Sequence, residues 1–200
     1  MRVVFNLLII VLLSCVIASA QTQTSSPTPM PTPADAQHFS KSGLVFDYPN
    51  GWTMSDISDD DAQQYTLSRN NSDIQMRVFA HKGRVTQEKL AEAKKSFIEP
   101  YVKAVSNQFR AMGATPSETA DSTEIAGIPA DGVKIAASLG GDPGAAKIYW
   151  VLLGQRVVVL TLFGPDREIK QFTPAWDLFR SSLKIEDPKA AASPSPKPSP

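Results

Sequence analysis

Two hundred residues in which twenty acids balance twenty bases exclude the strongly charged surface that recruits nucleic acid or anionic lipid. A single cysteine, Cys15, excludes a disulfide framework. Once an N-terminal leader is removed it also excludes any thiolate site for zinc or nucleophilic chemistry.

The chain opens with Met1-Arg2, then an apolar run over Val3–Ile17 broken by Asn6 and Ser14, then Ala18-Ser19-Ala20 before the polar Gln21-Thr22-Gln23. A positive start, an apolar centre and a small-residue A-x-A close define a secretory signal peptide. Cleavage after Ala20 is the expected processing, and the short signal ending before Gln21 fits a bacterial precursor. Two alternatives stay open. Leu12-Leu13-Ser14-Cys15 has elements of a lipobox, which would make Cys15 a lipid-bearing N-terminus and tie the protein to a membrane. An uncleaved anchor is the other, at the short limit of the ~20 apolar residues a bilayer core requires.

Thr24–Ala36 carries Pro27, Pro29, Pro31 and Pro33, and the C-terminus carries Pro194, Pro196, Pro198 and Pro200. Alternating proline removes backbone donors and fixes φ, so these stretches read as extended, solvated spacers. The expected layout is a signal peptide over 1–20, a Pro/Ser/Thr-rich disordered linker over 21–37, a globular domain over 38–187 and a Pro-rich disordered tail over 188–200. About 150 residues in the middle suffice for one ordinary hydrophobic core.

Within the domain, Leu44, Phe46 and Tyr48 alternate onto one strand face, and Pro49-Asn50-Gly51 turns the chain into Trp52 and Met54. Tyr65–Arg69 and Ile74–Ala80 form a second alternating pair around Asn70-Asn71-Ser72-Asp73. Ile74, Met76, Val78 and Ala80 share one face; Gln75 and Arg77 take the other. The period then changes. Leu90, Ala93, Phe97, Tyr101, Val105, Phe109 and Met112 line one face of a long helix. Thr86 suits its N-cap, Val85 can staple onto Leu90, and Gly113 ends it. Pro100 predicts a kink or break, with Glu99 displaced from the α region.

Strands return over Asp121–Ile125, Ala130–Leu139, Lys147–Leu153 and Val157–Phe163. They are separated by Gly127-Ile128-Pro129, the loop Gly140–Gly144 and the tight Gly154-Gln155 turn. Consecutive apolar residues over Val157–Leu160 predict a central strand covered on both faces. A last helix has Thr173 as cap, Pro174 at its first position and Trp176, Phe179 and Leu183 as its buried side. This order gives an α+β domain with a mostly antiparallel sheet, one long helix after the first strands and one C-terminal helix.

Three stretches carry a resemblance: Gly43–Trp52 as opening strand and turn, Ile125–Ala130 as a turn into a strand, and Phe179–Ile185 after the last hairpin. Together they resemble the PsbP-type domains, which share an α/β/α sandwich with Mog and with bacterial DcrB-like envelope proteins. The resemblance spans roughly Phe39–Ile185. It implies binding or assembly work rather than catalysis, and its motifs are structural: Pro49 and Gly51 turn the chain and Trp52 fills the core beneath.

Candidate chemistry is sparse. His38 and His81 are the two histidines, and both are expected at the surface. No serine sits in a G-x-S-x-G elbow, and Gly140–Gly144 lacks the Lys-Ser/Thr of a phosphate loop. Asp56-Ile57-Ser58-Asp59-Asp60-Asp61 is the one acidic cluster. Asp59, Asp60 and Asp61 are weak candidates for calcium, which takes six to eight oxygen ligands in a curved cage; adjacent carboxylates read better as a solvated loop or caps. Lys94-Lys95 reads as a solvated pair. No catalytic residue, cofactor or metal is therefore expected. The leading functional expectation is a non-catalytic, exported cell-envelope domain in the periplasm or outside the cell, binding a protein partner or a small ligand but not nucleic acid. A structural or assembly factor of an envelope complex is a second reading, and a hydrolase with an unrecognised site a third.

Overall fold

A computed structural model describes residues 36–186. The expected signal peptide, with Cys15 and Ala20, most of the first Pro-rich stretch and the Pro-rich tail lie outside the described residues.

A small sheet has the order β1 (Ala36–Lys41), β2 (Leu44–Pro49), β10 (Lys184–Ile185), with β2 in the middle. A large sheet runs β3 (Trp52–Asp56), β4 (Ala62–Arg69), β5 (Gln75–His81), β9 (Arg156–Pro165), β8 (Asp142–Leu153), β7 (Ile128–Leu139), β6 (Ser117–Ile125). Every pairing is antiparallel. The fold is α+β, as the order of periods predicts.

Three layers result. On one face of the large sheet, Met76, Val78, Ala80, Val158, Leu160 and Leu162 pack against β2 and the C-terminal helices α3 (Asp166–Gln171) and α4 (Thr173–Ser182). Phe46 of β2 meets Phe179 of α4 edge-on at 5.0 Å, and Trp52 meets Phe172 the same way at 5.7 Å. On the other face, Ile135, Ile148, Trp150, Val157 and Val159 pack under the long helical segment. β9 is the middle strand of seven and is buried on both faces, which accounts for its continuous apolar run.

That long segment departs from a regular helix. A short turn over Gln87–Lys89 leads into α1 (Leu90–Ala93), a wide π turn over Lys94–Ile98, and α2 (Glu99–Ala111) with Pro100 in its first turn. The break falls where Pro100 requires one. Glu99, however, stays in the α region at φ −61° and ψ −44°, because the wide turn, not Glu99, absorbs the missing N–H. The extra residue in that turn also rotates the buried face. Ala93 is followed inward by Ile98, five positions on, and then by Val105 and Phe109. Phe97 is consequently 37% exposed, and Met112, at the helix end, 45%. A strict 3.6 period places both inside; the structure corrects this.

Other corrections are local. Thr86 precedes the first turn without capping it through its side chain, its hydroxyl donating instead to Glu88. Val85 is buried in the same cluster as Leu90. Thr173 does not cap α4 either: its hydroxyl donates back to the Ile169 carbonyl of α3 at 3.0 Å, and α3 itself is announced by no strong apolar period. The loop expected over Gly140–Gly144 is only the pair Gly140-Gly141, since Leu139 already pairs with Asp142. Both glycines have φ in the left-handed region, 60° and 93°, which suits a two-residue hairpin turn. Ala126 adopts φ 53° at the β6–β7 turn, held there by its N–H to the Arg180 carbonyl of α4 at 3.0 Å.

Candidate functional site

The histidines lie in different sheets. His38, in β1, places Nδ1 2.7 Å from Asp47 Oδ1 at the surface. Ser182, the nearby hydroxyl, is engaged by the Asp47 backbone, accepting from its N–H at 2.8 Å, so His38 and Asp47 are not completed into a nucleophilic device through it. His81 ends β5, bonds to the Gly83 carbonyl and packs at a tilt against Phe97, ring centres 4.6 Å apart. Lys94 is not merely solvated: its ammonium lies 5.1 Å from the centre of the Trp150 ring.

The acidic cluster builds a turn. Asp59 Oδ1 accepts the backbone N–H of Ala62 at 2.8 Å and of Asp61 at 3.0 Å, and these bonds hold its carboxyl below the usual range. Asp56 pairs with Lys41 at 2.8 Å and accepts the Ser58 N–H. The Lys41 ammonium holds the Asp56 carboxyl well below the usual carboxylate range. Among the described residues, no three acidic, histidine or cysteine side chains gather at metal-binding spacing. Both carboxylates bind protons more weakly folded than unfolded. Whatever stability they add is therefore present above the unfolded carboxylate pKa, about 4, and is lost as pH falls through the folded values. Acid-unfolding curves of Asp56→Asn and Asp59→Asn should be flatter than wild type below about pH 4. Melting in chelator and in millimolar calcium should coincide; a calcium-dependent rise lost in the triple Asn variant of Asp59, Asp60 and Asp61 would contradict this.

Two further shifts have structural causes. Burial, together with its 2.8 Å hydrogen bond to Asp121, pushes the Tyr149 hydroxyl above its ordinary value. Burial lowers the Arg156 guanidinium.

A concave site occurs elsewhere, where the end of α2 overhangs the large sheet. Its volume is about 400 Å³, within the range of small-molecule pockets. Its origin is legible strand by strand. Ala137, Gly144 and Pro165 stand in one cross-strand row, so this row contributes almost no side-chain bulk toward the helix. The strands also approach closely, and a Cβ on Gly144 would lie 2.9 Å from the Gly164 carbonyl oxygen. Meanwhile α2 stops: Gly113 takes φ 86° and the Ala114 N–H closes on the Phe109 carbonyl at 3.0 Å. The result is a floor of Ala137, Leu139 and Phe163, with Phe109 stacked on Phe163 at 5.4 Å and the half-exposed Met112 at the edge. Asp73, Gln75, Asp142 and Arg167 supply a polar rim. Sequence reasoning passes over this site because its floor combines small residues with apolar ones that read as core. The available signal was the run Pro143-Gly144-Ala145-Ala146, too small to fill a strand's share of a core.

No family model matches the chain, and no curated sequence matches it significantly. Among solved structures, the cyanobacterial PsbP protein of Synechocystis sp. PCC 6803 covers 81% of this chain over 99% of its own length, at 15% identity and a TM-score of 0.51. A protein of Bacteroides thetaiotaomicron VPI-5482 covers 76% of this chain over 49% of its own, at 12% identity and a TM-score of 0.49. LpqN of Mycobacterium tuberculosis, involved in cell envelope biogenesis, covers 79% over 99%, at 16% identity and a TM-score of 0.39. The described residues form an antiparallel α/β/α sandwich. More particularly, their fold is similar to that of the cyanobacterial PsbP protein. Likeness at this identity is a likeness of fold, and fold alone does not carry an activity.

Proposed function

We propose that the protein is a non-catalytic, exported cell-envelope domain that binds a small amphiphilic molecule in the cleft under the end of α2. The cleft carries this reading: an apolar floor takes the ligand's body, and Gln75, Asp73 and Arg167 at the rim take its polar end. Export rests on the Met1–Ala20 segment and its Ala18-Ser19-Ala20 close. The Pro-rich stretches on either side of the domain act as spacers. N-terminal sequencing of the exported protein should begin at Gln21. Incorporation of labelled palmitate, abolished by Cys15→Ser, would instead establish the lipid anchor.

Ligand binding is tested by titrating the mature protein with a fluorescent amphiphile such as N-phenylnaphthylamine. Met112 is 45% exposed at the rim, so Met112→Asp leaves the core untouched while placing a charge against the apolar floor. Affinity should fall about tenfold or more, since removing an apolar contact and desolvating a carboxylate each oppose binding. Equal affinity in Met112→Asp would place the dye elsewhere and count against the cleft.

A further inference from the structure

A second recess opens on the same face of the large sheet, beside α2 and nearer its beginning, and its chemistry differs from that of the cleft. Thr66 of β4 is registered opposite Arg77 of β5, and Arg77 opposite Thr161 of β9. Cross-strand partners point to one face, so these three side chains form a polar row across three neighbouring strands. Tyr101 of α2 reaches down to the row, its hydroxyl 3.0 Å from that of Thr161. Whichever of the two donates in that bond, the other's hydroxyl proton is left free for a further acceptor. Gln64, one row along, adds an amide, and Phe79 walls the side.

Arg77 is the centre of this arrangement. Its Nη2 donates to Gln75 Oε1 at 2.7 Å, but its Nε is buried and has no acceptor among the described residues. Leaving a buried cationic donor unpaired is costly, so the guanidinium that lines this recess is one whose hydrogen bonds within the described residues are incomplete. Among the described residues no carboxylate lines the recess, and Arg77 is its one charged lining group. Its volume, about 190 Å³, is below the range of drug-sized pockets and suits a group of a few heavy atoms.

The geometry points to a binding site for a small oxyanion, a phosphate or a carboxylate, held by the Arg77 guanidinium, the Thr66 hydroxyl and whichever of the Tyr101 and Thr161 hydroxyls keeps its proton free. A guanidinium flanked by hydroxyl donors and free of competing acids is the donor set such groups require. This site is independent of the amphiphile cleft, which touches it only through Gln75.

The test uses the mature protein at constant ionic strength, with chloride replaced stepwise by phosphate, sulfate or acetate. The Arg77 Nε–H resonance and the melting temperature are followed together. Saturable movement of that resonance with at least one oxyanion, accompanied by a rise in melting temperature, is expected. The arm that saturates first separates phosphate from carboxylate. Thr66→Val, which keeps the side chain's shape and removes its hydroxyl, should weaken binding severalfold. Arg77→Met should weaken it about tenfold or more, the equivalent of one charged hydrogen bond. If Arg77→Met does not fold, the wild-type resonance and Thr66→Val decide the matter. An Nε–H resonance unmoved by every oxyanion, or the same saturable stabilisation in Thr66→Val and Arg77→Met as in wild type, would overturn the site. The latter pattern would mark the general salting effect of excluded anions.

Discussion

Trp52→Ala should destabilise the domain by about 3–5 kcal/mol, the range for large aromatic truncations in cores. Trp52 opens β3 directly after the Pro49-Asn50-Gly51 turn and is only 5% exposed. Its ring meets Phe172 edge-on at 5.7 Å, where the chain passes from α3 to α4. The side chain therefore couples the first edge of the large sheet to the C-terminal helices, two parts of the chain more than a hundred residues apart. A domain of this size should lose roughly ten degrees in melting temperature. Trp52→Phe should cost much less, because it keeps an aromatic edge against Phe172. A melting temperature for Trp52→Ala within a degree or two of wild type would show that the contact is dispensable.

Arg156→Met should be nearly as damaging, at about 2–4 kcal/mol, although it replaces a charged residue by an apolar one of similar length. Arg156 sits at the start of β9, just past the Gly154-Gln155 turn. Its Nε donates to the His81 carbonyl at 2.8 Å, and its Nη2 donates to Gln63 Oε1 at 2.6 Å and to the Ala80 carbonyl at 3.0 Å. Gln63, 3% exposed, donates onward to the Lys41 carbonyl at 2.9 Å. One guanidinium thus ties β9, β5 and β4 to the end of β1. Methionine leaves the Gln63 oxygen buried without a donor, which costs more than the lost bond itself. Chemical denaturation of Arg156→Met, Gln63→Leu and the double variant measures this directly. The double variant should be more stable than the sum of the single losses allows; strict additivity would contradict the shared network.

The layers of the fold were legible because burial writes a period into the chain. Met76, Val78 and Ala80 alternate because β5 has one greasy face toward β2 and α4; Val157–Leu160 is continuous because β9 is covered on both faces. Pro100 announced the break in the long helix, since a missing N–H has few remedies. The residues that then turn inward were not legible, because a wide turn that inserts one residue is a tertiary solution with no local signal. Hence Ile98, not Phe97, is inside. β1 escaped for a different reason. Its Ala36-Gln37-His38-Phe39-Ser40-Lys41 is short of apolar residues because it is an edge strand, half-buried at most, that among the described strands pairs only with β2. The threonines expected as caps show the same limit: Thr86 stands at the cap position and Thr173 one place inside α4, yet the hydroxyls of both find other partners.

Sites were less legible than layers. A cleft is made by what side chains leave unfilled, and Ala137, Gly144 and Pro165 come together only when three strands fall into register. Thr66, Arg77 and Thr161 are likewise scattered through the sequence and form a row only in the sheet. The acidic run, by contrast, was conspicuous in the sequence and proves to hold a turn together.

Binding of an amphiphile in the cleft beneath the end of α2 is read residue by residue in NMR spectra of the mature protein titrated with N-phenylnaphthylamine. The expected result is saturable shifts concentrated at Phe109, Met112, Leu139 and Phe163, with Gln75 and Arg167 following at the rim. Shifts confined to other surfaces, or none at saturating dye, would mean that the cleft is not a binding site.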